Sequence, residues 1–100
     1  MARRIVWTSL ASDIFTSILE YYVDRNGTKT FSRKLNKDIN VTISLLIKSP
    51  FLGIHTNFEN IRVMIFKNYK IFYQVEKEEI IIHLVWDARQ DPDRLKDFLI

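Results

Sequence analysis

The order of apolar and polar residues divides the chain into a short strand, two helical stretches and three further strands. In Leu10–Tyr22 and again in Phe31–Leu46, large apolar residues return every three or four positions, which is the spacing of one helix face. From Ile61 onward they return at alternate positions, which is typical of strands. A short first strand is predicted at Arg4–Trp7.

Capping and turn residues set the predicted limits of the two helices. Thr8-Ser9 can cap the start of the first helix, and Asn26-Gly27 suits its end because both residues tolerate a left-handed backbone. Thr28 or Thr30 can begin the second helix. Ser49-Pro50 ends it, since a residue before proline avoids helical geometry. So short a connection predicts an antiparallel helix hairpin.

The last forty residues predict a three-stranded antiparallel meander of Ile61–Phe66, Lys70–Val75 and Ile80–Asp87. A three-residue loop, in which Asn68 can take a positive φ, and a four-residue turn would connect the strands. This register gives a helix-facing apolar set of Ile61, Val63, Ile65, Ile71, Tyr73, Val75, Ile80, Ile82, Leu84 and Trp86. We therefore predict a two-layer α+β fold in a single domain over residues 1–100.

The open face of the predicted sheet combines positive charge with aromatic rings. By this register it carries Arg62, Met64, Phe66, Lys70, Phe72, Gln74, Ile81, His83, Val85 and Asp87, with Arg89 after the last strand. Cations contact phosphates and rings stack on unpaired bases, so the pattern favours RNA as a ligand. The simpler alternative is a solvated strand face whose charged residues pair with nearby carboxylates.

Four residues of this face carry the chemistry needed to cleave RNA through its own 2′-hydroxyl group. Arg62, Lys70 and Arg89 can supply positive charge to the phosphoryl oxygens, and Lys70 can also act as the acid. His83 is the candidate base, because imidazole titrates near neutral pH. A histidine on a strand is more often a half-buried hydrogen-bonding residue, so this role competes with a structural one.

Positive charge is concentrated in the first half of the chain. Residues 1–50 hold eight Lys and Arg against four Asp and Glu, whereas residues 51–100 hold seven against eight. One stretch has five cations and no acid, namely Arg25, Lys29, Arg33, Lys34 and Lys37. We predict that this stretch binds RNA, and the alternative is the solvated face of a helix.

Composition excludes several classes of site. The chain has 100 residues, no cysteine and two isolated glycines, which excludes disulfides, thiolate metal sites and glycine-rich phosphate loops. Its two histidines are far apart in sequence, so we expect no metal and no cofactor. The N-terminus lacks the apolar stretch of a signal peptide, which predicts a soluble cytoplasmic protein without membrane association.

The order of strand, helix hairpin and three-stranded meander resembles the RelE/ParE superfamily of toxins from type II toxin–antitoxin systems, which includes plasmid stabilisation proteins. The resemblance covers nearly the whole chain. Its marks are Trp7–Ala11, Ser49-Pro50 with Gly53, Arg62, Asn68–Val75 and Ile82–Pro92. The segment Asn68–Val75 is similar to the Tyr-Arg-Ile/Leu-x-Tyr-x-Val element of that family.

The resemblance implies a bacterial growth-inhibiting toxin that a cognate antitoxin holds inactive. One branch of the superfamily cleaves mRNA on the ribosome. A metal-independent endoribonuclease of this kind, an mRNA interferase that inhibits translation, is our first hypothesis. Arg62 and Arg89 match basic positions of that branch, and Lys70 replaces its hairpin arginine.

Another branch of the superfamily inhibits DNA gyrase without nuclease chemistry, and this is our second hypothesis. Two departures from the nuclease pattern favour it: Met64 lies where a second lysine is expected, and Leu95 where a tyrosine is expected. A third hypothesis is an inactive member that only binds its antitoxin. In each case we expect an apolar helical tail of the antitoxin to lie on the helix hairpin.

Overall fold

A computed structural model describes residues 2–90 and 92–99, in which two long helices pack on one face of a five-stranded sheet. The elements in chain order are β1 (Arg4–Trp7), α1 (Ser9–Asn26), α2 (Thr30–Lys48), β2 (Ile54–His55), β3 (Arg62–Phe66), β4 (Tyr69–Val75), β5 (Glu79–Asp87), a 3-10 helix (Pro92–Arg94) and α3 (Lys96–Leu99). The strands lie in the order β1-β5-β4-β3-β2, with β1 parallel to β5 and the other pairs antiparallel. The predicted α+β fold is therefore confirmed.

The helix limits follow from capping chemistry that the sequence predicts. The Thr8 hydroxyl accepts a hydrogen bond from the amide of Ala11 at 3.0 Å and so begins α1. Gly27 ends α1 with φ of 72°, in the left-handed region. The second helix begins at Thr30 without a side-chain cap and ends before Ser49-Pro50.

The two helices differ in how well their buried faces match the predicted ones. In α2 the predicted stripe is buried except at its first residue, Phe31, and its buried members are Leu35, Ile39, Ile43 and Leu46. In α1 the buried residues are Ala11 and Phe15, whereas Leu10 is 41% exposed. The ring of Phe15 stacks on Trp7 of β1 with ring centroids 5.5 Å apart, so the side of α1 that carries Ala11 and Phe15 faces the sheet. No helix among the described residues is apolar enough over sufficient length to cross a membrane.

The turn between β3 and β4 has two residues rather than the predicted three. Phe66 pairs directly with Tyr69, so only Lys67 and Asn68 lie between the strands. Lys67, rather than Asn68, takes the positive φ of the turn, at 52°. The predicted loop was therefore wrong by one residue.

The shorter turn exchanges the two faces of β3. Met64 pairs with Ile71 and lies in the core beneath the helices, where it is 8% exposed. Val63 packs on the other face of the sheet, and Ile65 is 64% exposed. The predicted placement of Val63 and Ile65 under the helices is wrong, because a slip of one residue inverts every side chain of a strand.

A bulge in β5 interrupts the alternation of that strand as well. Phe72 pairs with Leu84, but the next residue, Tyr73, pairs with Ile82. His83 is thus the extra residue of the bulge, opposite no single partner on β4. Before this point β5 follows the predicted register.

After the bulge the two faces of β5 are exchanged. Val85 lies in the core beneath the helices, although the sequence predicts it on the open face. Leu84 and Trp86 lie on the opposite face and pack against Leu95 and Phe98 of the C-terminal segment. Their predicted placement under the helices is therefore wrong. The bulge could not be predicted, because the apolar residues of β5 alternate along the sequence as they would without it.

Candidate functional site

The structure distributes the four predicted catalytic residues over different parts of the sheet. Arg62 is level with Tyr73 on β4, whereas Arg89 follows β5 beside the start of β4, about 13 Å away along the strand. Lys70 and His83 lie on the face away from the helices, and Arg62 shares the face of the core. The turn length places Arg62 on the helix side of the sheet, and beyond the bulge Arg89 contacts Tyr22 of α1. The predicted common open face is therefore wrong for Arg62 and Arg89, whereas Lys70 and His83 lie on it as predicted. Their individual roles in catalysis stay predictions.

Arg62 holds the loop that connects α2 to β3. Its Nη1 donates a hydrogen bond to the carbonyl oxygen of Gly53 at 2.8 Å, and its guanidinium lies 4.9 Å from the ring centroid of Phe51. Its Nη2 lies 3.1 Å from Nε2 of His55, which accepts this hydrogen bond because a guanidinium can only donate. These contacts give Arg62 a structural role.

His83 is a half-buried residue with a neutral ring. Its Nε2 lies 2.8 Å from Oε1 of Gln74 and donates to that amide oxygen. Burial lowers the pKa of His83 from its ordinary value, because surroundings of low polarity disfavour the charged imidazolium. This environment matches the structural alternative for His83.

The burial of His83 predicts a pH-dependent stability. The unfolded chain binds a proton at this ring more readily than the folded protein does, so the free energy of unfolding should fall as the pH drops below about 6.5. The contribution of neutral His83 to the free energy of unfolding is fully present above that pH, and it is lost as the pH falls through the lower pKa of the folded state. Urea denaturation at a series of pH values measures it. His83→Gln should flatten the curve in this range, and an unchanged curve would contradict the assignment.

Arg89 belongs to a hydrogen-bonded cluster at the other end of the sheet. Its Nε and Nη2 donate to the two carboxylate oxygens of Asp87 at 3.0 and 2.7 Å, and Nη2 also donates to the hydroxyl of Tyr22 on α1. The hydrogen bonds from Arg89 hold the pKa of Asp87 below its ordinary value. Burial, assisted by Tyr22, raises the pKa of the neighbouring Tyr69. The cluster ties the segment after β5 to the end of α1.

A groove of about 360 Å³ opens beside this cluster, between the helix hairpin and the β3–β4 turn. Four cations from different parts of the chain line this cationic groove: Arg25, Lys34, Lys67 and Arg89. Its aromatic residues are Tyr22, Phe31, Phe66 and Tyr69. Asp38 is the only carboxylate among its described lining residues, and it pairs with Lys34 at 3.2 Å. The groove therefore combines a net positive charge with aromatic lining residues.

The charge pattern of the sequence predicts part of this groove. Of the predicted RNA-binding cations, Arg25 and Lys34 line it, whereas the other three, Lys29, Arg33 and Lys37, are exposed elsewhere on the helix hairpin. The sequence does not predict Lys67 as a binding residue, because nothing in the residues around a turn indicates which surface the turn lies against. Phe31 was assigned to the core stripe of α2, but it is 44% exposed.

A second groove, of about 500 Å³, follows the exposed flank of α1. The apolar side chains of this α1 groove are Ile14, Ile18 and Tyr21, and its charged ones are Asp13, Arg25, Asp87 and Arg89. Neither groove contains a metal-binding cluster, since no three His, Asp or Glu side chains in the described part of the chain are suitably placed.

The chain matches known toxins in sequence and in fold. A family model described as the ParE toxin of the type II toxin–antitoxin system parDE matches residues 5–92. A solved chain of the chromosomal ParDE toxin–antitoxin system from P. aeruginosa is similar at a TM-score of 0.76 and 19% identity, and the match covers 87% of this chain and 97% of that one. A mutant of the E. coli toxin RelE in the free state is similar at 0.63 and 14%, covering 99% and 95%. No curated protein matches significantly.

Proposed function

The chain belongs to the ParE toxin family of type II toxin–antitoxin systems, and on this basis we propose that it stops bacterial growth by binding and inhibiting DNA gyrase. The observation that carries the proposal is the family match over residues 5–92. It favours the gyrase-directed branch of the superfamily over the branch that cleaves mRNA. An inhibitor of that kind requires a binding surface and no nucleolytic pocket.

The positions of the predicted catalytic residues support the same choice. Cleavage through a 2′-hydroxyl group requires base, acid and positive charge within hydrogen-bonding reach of one phosphate. Arg62 and Arg89 lie at opposite ends of the sheet, and Lys70 lies on the face away from the helices. Met64, where the nuclease branch has a lysine, is buried in the core. Cleavage of ribosome-bound mRNA is the alternative that the test below must distinguish.

A cognate antitoxin is the partner that membership of the family implies. We propose that an apolar helical segment of the antitoxin lies in the α1 groove. Ile14, Ile18 and Tyr21 follow one another at the spacing of a helix face, and Tyr21 is 54% exposed. Arg89 lies in both grooves, so a segment bound there would also reach the cationic groove.

The proposal predicts different products from gyrase inhibition and from mRNA cleavage. Purified toxin should block plasmid supercoiling by gyrase or leave linear DNA, and its expression without antitoxin should stop growth while primer extension shows uncut mRNA. Lys70→Ala removes a residue that the nuclease hypothesis requires, and it should stop growth as fully as the wild type. Cuts in mRNA that disappear with Lys70→Ala would contradict gyrase inhibition. Normal growth with the wild-type chain would identify an inactive family member.

A further inference from the structure

We propose that the cationic groove binds a short segment of single-stranded nucleic acid, which for a gyrase inhibitor is DNA. The inference deepens the proposed function and rests on it for the identity of the strand, because gyrase holds DNA while it works. A toxin with its own DNA contacts would recognise the DNA-bound form of the enzyme. The groove would contribute phosphate contacts along its cations and stacking on its rings.

Both arginines of the groove form hydrogen bonds within the protein and still have N–H donors that these bonds do not use. Arg89 uses Nε and Nη2 in its bonds to Asp87 and Tyr22, which leaves the hydrogens of Nη1 without an acceptor among residues 2–90 and 92–99. Arg25 donates from Nη1 to the hydroxyl of Tyr21 at 3.0 Å and keeps Nε and Nη2. The two bonds to Asp87 orient the guanidinium of Arg89, and Arg25 is held by one bond to Tyr21. The remaining donors of both arginines can meet phosphate oxygens.

Lys67 adds an unpaired charge from the opposite side of the groove. It forms no ion pair within the part of the chain that the structure describes, and its ammonium lies 5.4 Å from the ring centroid of Phe66. Its φ of 52° is one that glycine or asparagine adopts more readily than lysine does. Strained backbone positions cluster at functional sites, so the conformation of Lys67 beside the groove supports a binding role.

The exposed rings favour a nucleic acid strand over an acidic peptide. Phe31 of α2 is 44% exposed, and its ring centroid lies 4.6 Å from that of Tyr22. Phe66 enters from β3, so aromatic surface comes from both sides of the groove together with the cations. Bases stack on such rings whatever their sequence, whereas carboxylate side chains would engage the cations alone.

The test measures binding of a fluorescein-labelled oligo(dT) of about 12 nucleotides to the purified toxin, followed by fluorescence anisotropy at several salt concentrations. Arg25→Gln/Lys67→Gln should weaken binding about tenfold at low salt and reduce the slope of log affinity against log salt by roughly 1.4, as the loss of two phosphate contacts on a single strand requires. The matched control, Lys48→Gln/Lys77→Gln, removes the same charge outside the groove and should change affinity less than about twofold.

A third variant tests stacking separately from charge. Phe31→Leu should weaken binding about tenfold with an unchanged salt slope, because it removes a ring and no cation. All variants are checked by circular dichroism. Should the double variant fail to fold, Lys67→Gln alone supplies the charge test, since this side chain forms no ion pair with the described residues and its ammonium lies near the ring of Phe66.

Four results would overturn the proposal. They are no binding of the oligonucleotide, an equal loss in the control variant, groove-dependent binding of polyglutamate in place of oligo(dT), and a strong preference for the matching RNA strand. The reaction contains no gyrase, so its failure is distinguishable from failure of the gyrase proposal. Inhibition of supercoiling by a toxin that binds no oligonucleotide would keep the proposed function and remove only the groove's role.

Discussion

Gly53→Ala is expected to destabilise the protein by about 3 kcal/mol, at the upper end of the range for overpacked sites. A Cβ atom at this position would lie 2.6 Å from the carbonyl oxygen of Val63, 2.7 Å from the hydroxyl oxygen of Tyr73 and 2.8 Å from its Cε1. The Tyr73 ring is fully buried and the Val63 atom is backbone, so neither can move aside cheaply.

The effect is large because the hydrogen bonds that hold the loop after α2 converge on Gly53. Its amide donates to the hydroxyl of Tyr73 at 2.8 Å, and that hydroxyl donates in turn to the carbonyl of Pro50 at 2.9 Å. Its carbonyl accepts from Arg62 at 2.8 Å. Displacing the glycine strains all three bonds, and each buried group left without a partner costs about 1–3 kcal/mol.

Gly27→Ala is the matched control. A Cβ at Gly27 meets no atom within 4 Å, so only its φ of 72° opposes the substitution, at about 1 kcal/mol. Urea denaturation of both variants against the wild type measures the difference. Equal losses, or a larger loss at Gly27, would contradict the close packing described for Gly53.

The elements that sequence predicted correctly depend on local chemistry. Thr8 caps α1, Gly27 ends it in the left-handed region, and Pro50 prevents α2 from continuing, each through contacts within a few residues. The apolar stripe of α2 repeats at the helical period over its whole length. These signals fixed the order of elements, and the fold class followed from that order.

The register could not be predicted in the same way, because it depends on single residues whose effect is not local. A two-residue turn with Lys67 in the left-handed region is unusual, and the sequence favours Asn68 there. The bulge at His83 depends on how Phe72 and Tyr73 pair across to β5. The shorter turn inverts the side chains of β3, which precedes it, and the bulge inverts those of β5 after His83.

The candidate site depends on that register, which explains why it was predicted only in part. The cationic groove is assembled from the end of α1, the start of α2, the β3–β4 turn and the segment after β5. The charge run around Arg25 and Lys34 was visible in sequence because it is continuous. The contribution of Lys67 was not, since it requires the turn to end beneath the helix hairpin.

Two aspartate substitutions, one on β5 and one on β3, test the register directly, and we expect Val85→Asp to unfold the protein while Ile65→Asp leaves it folded. Val85 is fully buried in the core beneath the helices, so an unpaired carboxylate there should cost about 4 kcal/mol or more, most of the stability of a domain of this size.

Ile65 lies in a solvent-exposed environment and, like Val85, is close to the C-terminal end of its strand. It is 64% exposed, and it pairs across β3 and β4 with Lys70, so an aspartate would gain an opposite charge and should change stability by about 0.5 kcal/mol or less. Circular dichroism and urea denaturation of the two variants measure the contrast. The register read from uninterrupted alternation predicts the reverse, with Ile65 buried and Val85 on the open face. A folded Val85→Asp protein together with an unfolded Ile65→Asp protein would therefore reject both the two-residue turn and the bulge. It would also remove the separation of the cations that supports the choice against a nuclease.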